Sequence, residues 1–307
     1  MKDTILFGDC RETLKEFDEK ARCCVTSPPY YGLRDYGGED SQIGQEQSPE
    51  EYIEEMVNVF RLVRDCLTDD GTLWLNIGDS YYNYRKDGCI PKQTFAANRQ
   101  DLPVTTPRRS NKLKGYKEKD LIGIPWMLAF ALRADGWYLR QDIIWHKPNP
   151  MPESVRDRCT KSHEYIFLLS KNKNYYYDND AIKEPAKDWG TRDRSNGKYH
   201  NPGSGLTPHS GLTKSYSKRN KRSVWSINKK PYKGAHFATY PEELITPCIK
   251  AGSDKGDIIL DPFMGSGTTA VVAKDLGRYY IGCELHDDYG ELIKKRLGLY
   301  ASLRTVT

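Results

Sequence analysis

The stretch that most constrains this chain is Thr26-Ser27-Pro28-Pro29-Tyr30, in which two consecutive prolines follow an apolar run. Each proline fixes φ, removes a backbone donor and restricts the residue before it, so neither a strand nor a helix can continue through the turn. The turn therefore presents the Ser27 hydroxyl, the Pro28 carbonyl and the Tyr30 ring together. This arrangement suits a flat, polar amine, because the two oxygens can accept N–H bonds while the ring stacks on the plane behind it.

A second constrained stretch lies near the other end of the chain. The apolar run 257–260 predicts a buried strand, which leads through Asp261 into a loop with Gly265 and Gly267 and then into a helix. The glycines permit close backbone approach, and the helix N-terminus offers free N–H groups to an anion. No Gly-Lys-Ser/Thr follows the loop, which disfavours a P-loop and ATP chemistry. The next predicted strand ends at Glu284, where a carboxylate can accept bonds from both hydroxyls of a ribose.

Together these stretches resemble the amino-group DNA methyltransferases. In that family Ser-Pro-Pro-Tyr is the motif of enzymes that modify cytosine N4, whereas Asp-Pro-Pro-Tyr and Asn-Pro-Pro-Tyr are more usual for adenine N6. The stretch Phe263-Met264-Gly265-Ser266-Gly267 resembles the family's loop for S-adenosylmethionine (SAM). The catalytic motif comes first and the cofactor loop last, with a long insertion between them, and this order is similar to that of the β class.

The resemblance implies roles for particular residues of this sequence. Ser27, Pro28, Pro29 and Tyr30 would form the catalytic turn. Asp9 matches a strand-end acid that approaches the adenine of the cofactor, although an isolated Asp in this position is also a common helix N-cap. The implied cofactor-binding residues are Asp9, Cys10, His236, Asp261, Phe263, Gly265, Ser266, Gly267, Thr268 and Glu284.

Short apolar runs alternate with amphipathic segments along the chain, and several of the runs end in a polar residue, as at Asp9 and Ser27. With the resemblance, this alternation predicts an α/β fold with a doubly wound, mostly parallel, Rossmann-like sheet of the SAM-dependent methyltransferase type, carrying a basic target-recognition insertion. We also expect Asp69-Asp70-Gly71 to separate a helix from a strand that begins at Thr72.

Basic residues crowd into two polar segments, between residues 85 and 119 and between residues 183 and 233, although the net charge of the chain is only +5. Basic segments rich in tyrosine suit phosphate contact and base stacking, and a solvated surface explains them equally well. We expect three parts: a catalytic half at 1–170 with a mobile loop at 81–119, a target-recognition insertion at 171–235, and a cofactor-binding half at 236–307.

The cysteines and the hydropathy pattern limit the classes of protein to which this chain can belong. None of the eight cysteines lies in a Cys-x-x-Cys pair, so we expect reduced thiols and neither a disulfide framework nor a metal site. No apolar stretch approaches the roughly 20 residues that a membrane-spanning helix needs. The sequence therefore predicts a cytoplasmic protein that does not contact a membrane.

The expected activity is site-specific transfer of a methyl group from SAM to the exocyclic N4 of a cytosine flipped out of double-stranded DNA. Ser27 and the Pro28 carbonyl would accept the amine N–H bonds and favour a pyramidal nitrogen, so that no covalent enzyme intermediate is needed. Adenine N6 is the close alternative, and an inactive, methyltransferase-like DNA-binding module is the second. RNA or a small molecule is a further alternative substrate. A cognate restriction endonuclease, and the choice between monomer and homodimer, stay open.

Overall fold

The computed structural model describes residues 2–32, 42–82, 113–186, 217–229, 240–298 and 302–305. Strands and α-helices alternate through most of these ranges. In chain order they are β1 Thr4–Phe7, α1 Cys10–Thr13, β2 Ala21–Thr26, α2 Pro49–Cys66, β3 Leu67–Ile77, α3 Ile124–Ala134, β4 Tyr138–His146, β5 His163–Ser170, β6 Glu184–Pro185, β7 Lys218–Arg219, β8 Val224–Ser226, α4 Glu242–Gly252, β9 Ile258–Asp261, α5 Thr268–Asp275, β10 Tyr279–Glu284, α6 Tyr289–Leu297 and β11 Ser302–Thr305.

A central sheet of nine strands has the order β11-β1-β10-β9-β2-β3-β5-β4-β8. All neighbours from β11 to β3 are parallel, β5 is antiparallel to both β3 and β4, and β8 is parallel to β4. The predicted doubly wound, mostly parallel sheet is thus confirmed. After β9 the chain continues to β10, its neighbour on one side, whereas after β2 it continues to β3, its neighbour on the other side. The direction in which strands are added therefore reverses between β9 and β2. Ligands of such sheets bind outside the carboxyl ends of the strands at this point.

Buried side chains form a hydrophobic cluster on each face of the sheet. Helices α2 and α3 cover one face, and helices α4, α5 and α6 cover the other. Strand β2 supplies both clusters, because Cys24 points to the first and Cys23 and Val25 point to the second. This burial on both faces explains why the central strands appear in the sequence as continuous apolar runs.

Helix α2 begins and packs as its sequence predicts. The Ser48 side chain accepts a bond from the Glu51 amide, and Pro49 occupies the first turn, where its missing N–H costs nothing. The residues at helical spacing are all buried, namely Tyr52, Met56, Val59, Phe60 and Val63.

The expected break at Asp69-Asp70-Gly71 was wrong, because β3 follows α2 directly and begins at Leu67. Pairing with β2 and bonds from the amides of Lys171 and Tyr176 to the carbonyls of Gly71 and Asp70 keep these residues extended. Tertiary contacts therefore override the turn preference of the Asp-Asp-Gly sequence.

Part of the predicted insertion 171–235 belongs to the main sheet. Strand β8 pairs with β4, and the Trp145 indole donates to the carbonyl of Ile227 at 2.9 Å. Residues 187–216 and 230–235 of this insertion lie outside the described residues, and so do residues 83–112 of the predicted loop. None of the helices within the described ranges is both long and apolar enough to cross a membrane.

Candidate active site

The carboxyl ends of four neighbouring strands bring the two sequence motifs to one edge of the sheet. Strand β2 ends directly before Ser27, and its neighbour β9 ends at Asp261, directly before the glycine loop. Farther along the same edge, Glu284 is the last residue of β10 and lies opposite Phe7 of β1. Residues that lie about 230 positions apart in the sequence are therefore adjacent in the fold.

A buried carboxylate, Asp261, joins the two motifs. Its Oδ1 accepts bonds from the Thr26 hydroxyl at 2.6 Å and the Phe263 amide at 3.0 Å, and its Oδ2 accepts from the hydroxyls of Thr269 at 2.5 Å and Tyr240 at 3.1 Å. Complete burial raises the pKa of Asp261, and these donors oppose the rise. Because both oxygens are used by the protein, Asp261 fixes the catalytic turn, the glycine loop and α5 relative to one another. Its predicted contact with the cofactor stays a prediction.

The glycine loop has a backbone shape that side chains disfavour. Gly265 and Gly267 have φ values of 53° and 82°, in the left-handed region that glycine adopts without strain. This shape turns the Gly265 amide toward Glu284, whose Oε2 accepts its bond at 2.7 Å, and places Gly267 at the N-terminus of α5. Phe263 is partly buried at the start of the loop.

Glu284 can accept further hydrogen bonds besides the one from the Gly265 amide. Its Oε1 accepts from the His286 amide at 3.1 Å, and the side chain is 8 % exposed. Each carboxylate oxygen has a further lone pair that can accept a hydroxyl. Burial raises the pKa of Glu284 to about 7, so two O–H donors from a ribose would stabilise the charged form that burial penalises. The residues present therefore fit a nucleoside-containing cofactor.

The Gly-Asp-Cys stretch after β1 supports this edge of the site. Asp9 caps α1 by accepting from the Arg11 amide at 2.8 Å, and the Arg11 guanidinium forms an ion pair with it at 2.6 Å. Cys10 is buried, and burial raises the pKa of its thiol to about 12, so it contributes a neutral surface. The structure thus gives Asp9 the N-cap role, and its approach to an adenine stays a prediction. His236 lies outside the described residues.

The catalytic turn is anchored at Pro29 and Tyr30. The Tyr52 hydroxyl donates to the Pro29 carbonyl at 2.9 Å, and the Tyr30 hydroxyl donates to Glu164 at 2.9 Å. The Tyr30 ring lies against Gly78, where an added Cβ would fall 2.6 Å from a ring carbon. Both the ring and its hydroxyl are therefore held in place, next to the partly exposed Ser27 and the buried Pro28.

A family model described as DNA methylase matches residues 21–295. The Type II methyltransferase M.SmaI of Serratia marcescens is 48% identical over 294 residues, which cover 95% of this chain and 90% of that protein. M.XycI of Xanthomonas campestris pv. cyanopsidis, another Type II methyltransferase, is 46% identical over 295 residues, covering 96% and 87%.

The chain belongs to this DNA methylase family. The predicted resemblance is thereby confirmed. Solved structures support the fold: PvuII DNA methyltransferase (cytosine-N4-specific) superposes with a TM-score of 0.60 at 16% identity over 98% of this chain and 94% of that one. The SAM complex of M1.HpyAVI superposes with a TM-score of 0.56 at 19% identity, covering 96% and 99%.

Sequence reasoning missed an arginine that holds the glycine loop of this DNA methylase. The Arg296 guanidinium donates to the Ser266 carbonyl and hydroxyl at 3.0 and 2.8 Å and to the Thr268 hydroxyl at 2.9 Å, and it also reaches Glu242. In the sequence Arg296 ends the run Lys294-Lys295-Arg296, which is indistinguishable from a solvated helix end.

Sequence reasoning also missed an ion pair, Glu164 and Lys147, whose carboxylate accepts the bond from the Tyr30 hydroxyl. Glu164 directly precedes the apolar and aromatic run of β5, and a charge beside that run was the available signal. A charged residue in such a strand is rarely buried unless it is paired.

Proposed function

We propose that this DNA methylase transfers the methyl group of SAM to the N4 of a cytosine flipped out of double-stranded DNA. The observation that carries the proposal is the bonding of Thr26 and the glycine loop to one carboxylate, Asp261, which holds Ser27 next to the loop. Further support comes from the M.SmaI and M.XycI relatives, which are Type II methyltransferases, and from the PvuII enzyme, which is cytosine-N4-specific.

The cofactor site uses the loop and the acids around it. Glu284 would accept the ribose hydroxyls, Gly265 and Gly267 would let the backbone approach the ligand, and the amides at the N-terminus of α5 would offer bonds to an anionic group of the ligand. Arg296 fixes the loop through Ser266 and Thr268. SAM, when bound, supplies an activated methyl group on a positively charged sulfur.

The catalytic turn would position the target amine. The Ser27 oxygen and the Pro28 carbonyl accept its two N–H bonds, which draws electron density onto the nitrogen and stabilises the positive charge that develops there. The Tyr30 ring stacks on the base and keeps it oriented. The thiols of Cys23 and Cys66 are poor nucleophiles, because burial raises the pKa of Cys23 to about 12 and of Cys66 to about 11.

The same edge of the sheet offers a surface for the DNA backbone. The segment 147–162 lies there because β4, which precedes it, is parallel to β2. It carries the exposed Arg156, and Asn149 ties it to Lys229 through reciprocal bonds of 3.0 and 3.1 Å. We assign phosphate contacts to these cations and target recognition to the segments 81–119 and 171–235.

The product distinguishes the candidate functions. Purified protein is incubated with duplex DNA and tritiated SAM, the DNA is digested to nucleosides, and the labelled nucleoside is identified by chromatography and mass. N4-methylcytosine is the expected product. N6-methyladenine would overturn the base assignment, and SAM binding without transfer to DNA would favour an RNA substrate or a binding module.

Binding of SAM should depend on pH through Glu284. Because its pKa in the free protein is about 7 and ribose hydroxyls favour the charged form, binding should release a proton below this pH. We expect the affinity for SAM to fall about tenfold between pH 8 and pH 6 and to be flat above pH 8. Calorimetry in two buffers of different ionisation enthalpy measures both quantities. A Glu284→Gln variant should bind weakly at all of these pH values, and an unchanged pH dependence in it would contradict the assignment.

Loss of the Arg296 guanidinium should loosen the cofactor loop. In Arg296→Met the bonds to Ser266 and Thr268 disappear, and bonds to charged groups contribute about 1.5–3 kcal/mol each. We expect an approximately tenfold rise in the Kd for SAM, measured by calorimetry. Lys294→Met removes a cation from the exposed side of the same helix and serves as the control. Equal Kd values for the two variants would contradict a role for Arg296.

A further inference from the structure

The Tyr30 side chain is held at two places by neighbouring strands of the central sheet. Its hydroxyl donates to Glu164 Oε2 at 2.9 Å, and its ring lies against Gly78, where an added Cβ would fall 2.6 Å from a ring carbon. The antiparallel pairing of β3 with β5 sets Ile77 opposite Tyr165. The next residue outward on β3 is Gly78 and the next on β5 is Glu164, so the register of the sheet places both contacts side by side.

Glu164 is in turn held by a buried ammonium. The Lys147 Nζ binds Glu164 Oε1, and the side chains of Glu164 and Lys147 are 16 % and 8 % exposed. The Lys147 ammonium also lies 4.2 Å from the centre of the Trp145 ring, and the Lys147 amide donates to the Ser162 carbonyl at 2.7 Å. These contacts fix one oxygen of the carboxylate and leave the other directed at the phenol of Tyr30.

Stability does not account for this ion pair. Burial lowers the pKa of Lys147 although the Glu164 carboxylate opposes the change, so desolvation of the ammonium outweighs its attraction to the carboxylate. Replacing a buried ion pair with apolar side chains of similar volume is often neutral or stabilising. Apolar side chains would, however, offer no acceptor to the Tyr30 hydroxyl, and a bond to a charged acceptor is stronger than one to a neutral acceptor.

We propose that Glu164 and Lys147 are positioning residues that fix the Tyr30 ring in the plane in which it stacks on the flipped base. Because the ring is ordered before the base arrives, stacking loses little conformational entropy and keeps the target amine aligned for transfer. Gly78 belongs to the same arrangement, because the absence of a side chain there leaves room for the ring. This inference rests on the proposed function of the catalytic turn, in which Tyr30 stacks on the target.

Glu164→Leu/Lys147→Met removes the acceptor without leaving a buried charge. The thermal midpoint should stay close to the wild-type value, whereas the released hydroxyl end lets the ring shift. With saturating SAM and duplex DNA in a single turnover, we expect transfer about tenfold slower than wild type. Glu164→Gln/Lys147→Met restores an acceptor, because the glutamine oxygen can accept from Tyr30. It should transfer at least about fivefold faster than Glu164→Leu/Lys147→Met, and equal rates in these two variants would contradict the proposal.

Tyr30→Phe tests whether the ion pair acts through the tyrosine hydroxyl. Alone it should slow transfer about tenfold, because the ring remains and its tether is lost. Adding Glu164→Leu/Lys147→Met to Tyr30→Phe should cost nothing further, since no hydroxyl remains to be held. A triple variant whose loss equals the product of the two separate losses would overturn the proposal, as would the wild-type rate in Tyr30→Phe.

Gly78→Ala reaches the ring independently of the ion pair. The added methyl group would lie 2.6 Å from a ring carbon, so the ring must move and the rate should fall about tenfold. If Glu164→Leu/Lys147→Met does not fold, Gly78→Ala and Tyr30→Phe still decide, and wild-type rates in both would overturn the proposal. Glu291→Leu/Lys294→Met removes an exposed ion pair by the same substitutions and should leave the rate and the thermal midpoint unchanged.

The Kd for SAM and the labelled base separate this result from a failure of the proposed function. The Kd should match wild type in each variant of Tyr30, Glu164, Lys147 and Gly78, since none of these residues lies on the glycine loop. Label in adenine would refute the cytosine assignment and leave the rate comparison valid, because an aromatic ring stacks on either base. No transfer by wild type would refute both the proposed function and this inference, whereas transfer at one rate by wild type and all variants would refute this inference alone.

Discussion

Ser27→Ala is expected to slow methyl transfer about a hundredfold, which corresponds to a loss of about 3 kcal/mol of transition-state stabilisation. The variant loses the hydroxyl that accepts from the amine, and the Pro28 carbonyl is left as the sole acceptor in the turn. Because Ser27 lies in the turn directly after β2 and not on the glycine loop, the Kd for SAM should be unchanged. Single-turnover incorporation of tritium measures the rate, and calorimetry measures the Kd.

The control for this variant removes a hydroxyl from the opposite edge of the sheet. Thr68 bonds to Asp70 at 2.8 Å near the start of β3, so Thr68→Ala should leave the rate within about twofold of wild type. If Ser27→Ala transfers at the wild-type rate, the amine is held by other groups and the proposed mechanism is wrong. A weaker Kd for SAM in Ser27→Ala would show that the turn also shapes the cofactor site.

Asp261→Ala is expected to lower the free energy of unfolding by about 3–5 kcal/mol and to abolish detectable SAM binding. The substitution leaves the hydroxyls of Thr26, Thr269 and Tyr240 and the Phe263 amide without their buried acceptor. Stability of a typical domain is about 5–15 kcal/mol, so this loss is a large fraction of the total. Urea denaturation followed by tryptophan fluorescence measures it.

Asp261→Asn provides the graded comparison. It retains the shape and one acceptor, so its loss of stability should be about 1–2 kcal/mol, smaller than that of the alanine variant. Asp275→Ala, at the exposed end of α5, removes a carboxylate from the same region and should change stability by less than about 0.5 kcal/mol. Equal losses for Asp261→Ala and Asp275→Ala would show that Asp261 does not hold the two motifs together.

Much of the site could be predicted because its chemistry is local. Two consecutive prolines end a strand in any context, so they end β2. Glycine adopts left-handed backbone angles without strain, which allows the turns at Gly265 and Gly267. The alternation of apolar runs placed the central strands, and the Ser48-Pro49 cap placed α2. Each of these signals lies within about ten residues of the structure it specifies.

The residues that sequence reasoning missed act across long distances in the chain. Glu164 reaches Tyr30 over 134 positions, and Arg296 reaches Ser266 over 30 positions from a basic helix end. The only local signal for Glu164 is its position beside an apolar run, and Arg296 has no local feature that distinguishes it from a surface charge. The same holds for β8, whose three residues join the sheet because they pair with β4 and bury Trp225.

Proline and glycine constrain the backbone at the positions where they stand, so the motifs that contain them were enough to predict the family, the fold class and the shape of the two loops. Which side chains hold these loops together depends on contacts between distant parts of the chain. Asp261 became a shared acceptor for both motifs because the winding of the sheet reverses between β9 and β2 and brings their ends into contact. Burial then raised the pKa of Glu284 to about 7, a property of its surroundings that no stretch of sequence encodes.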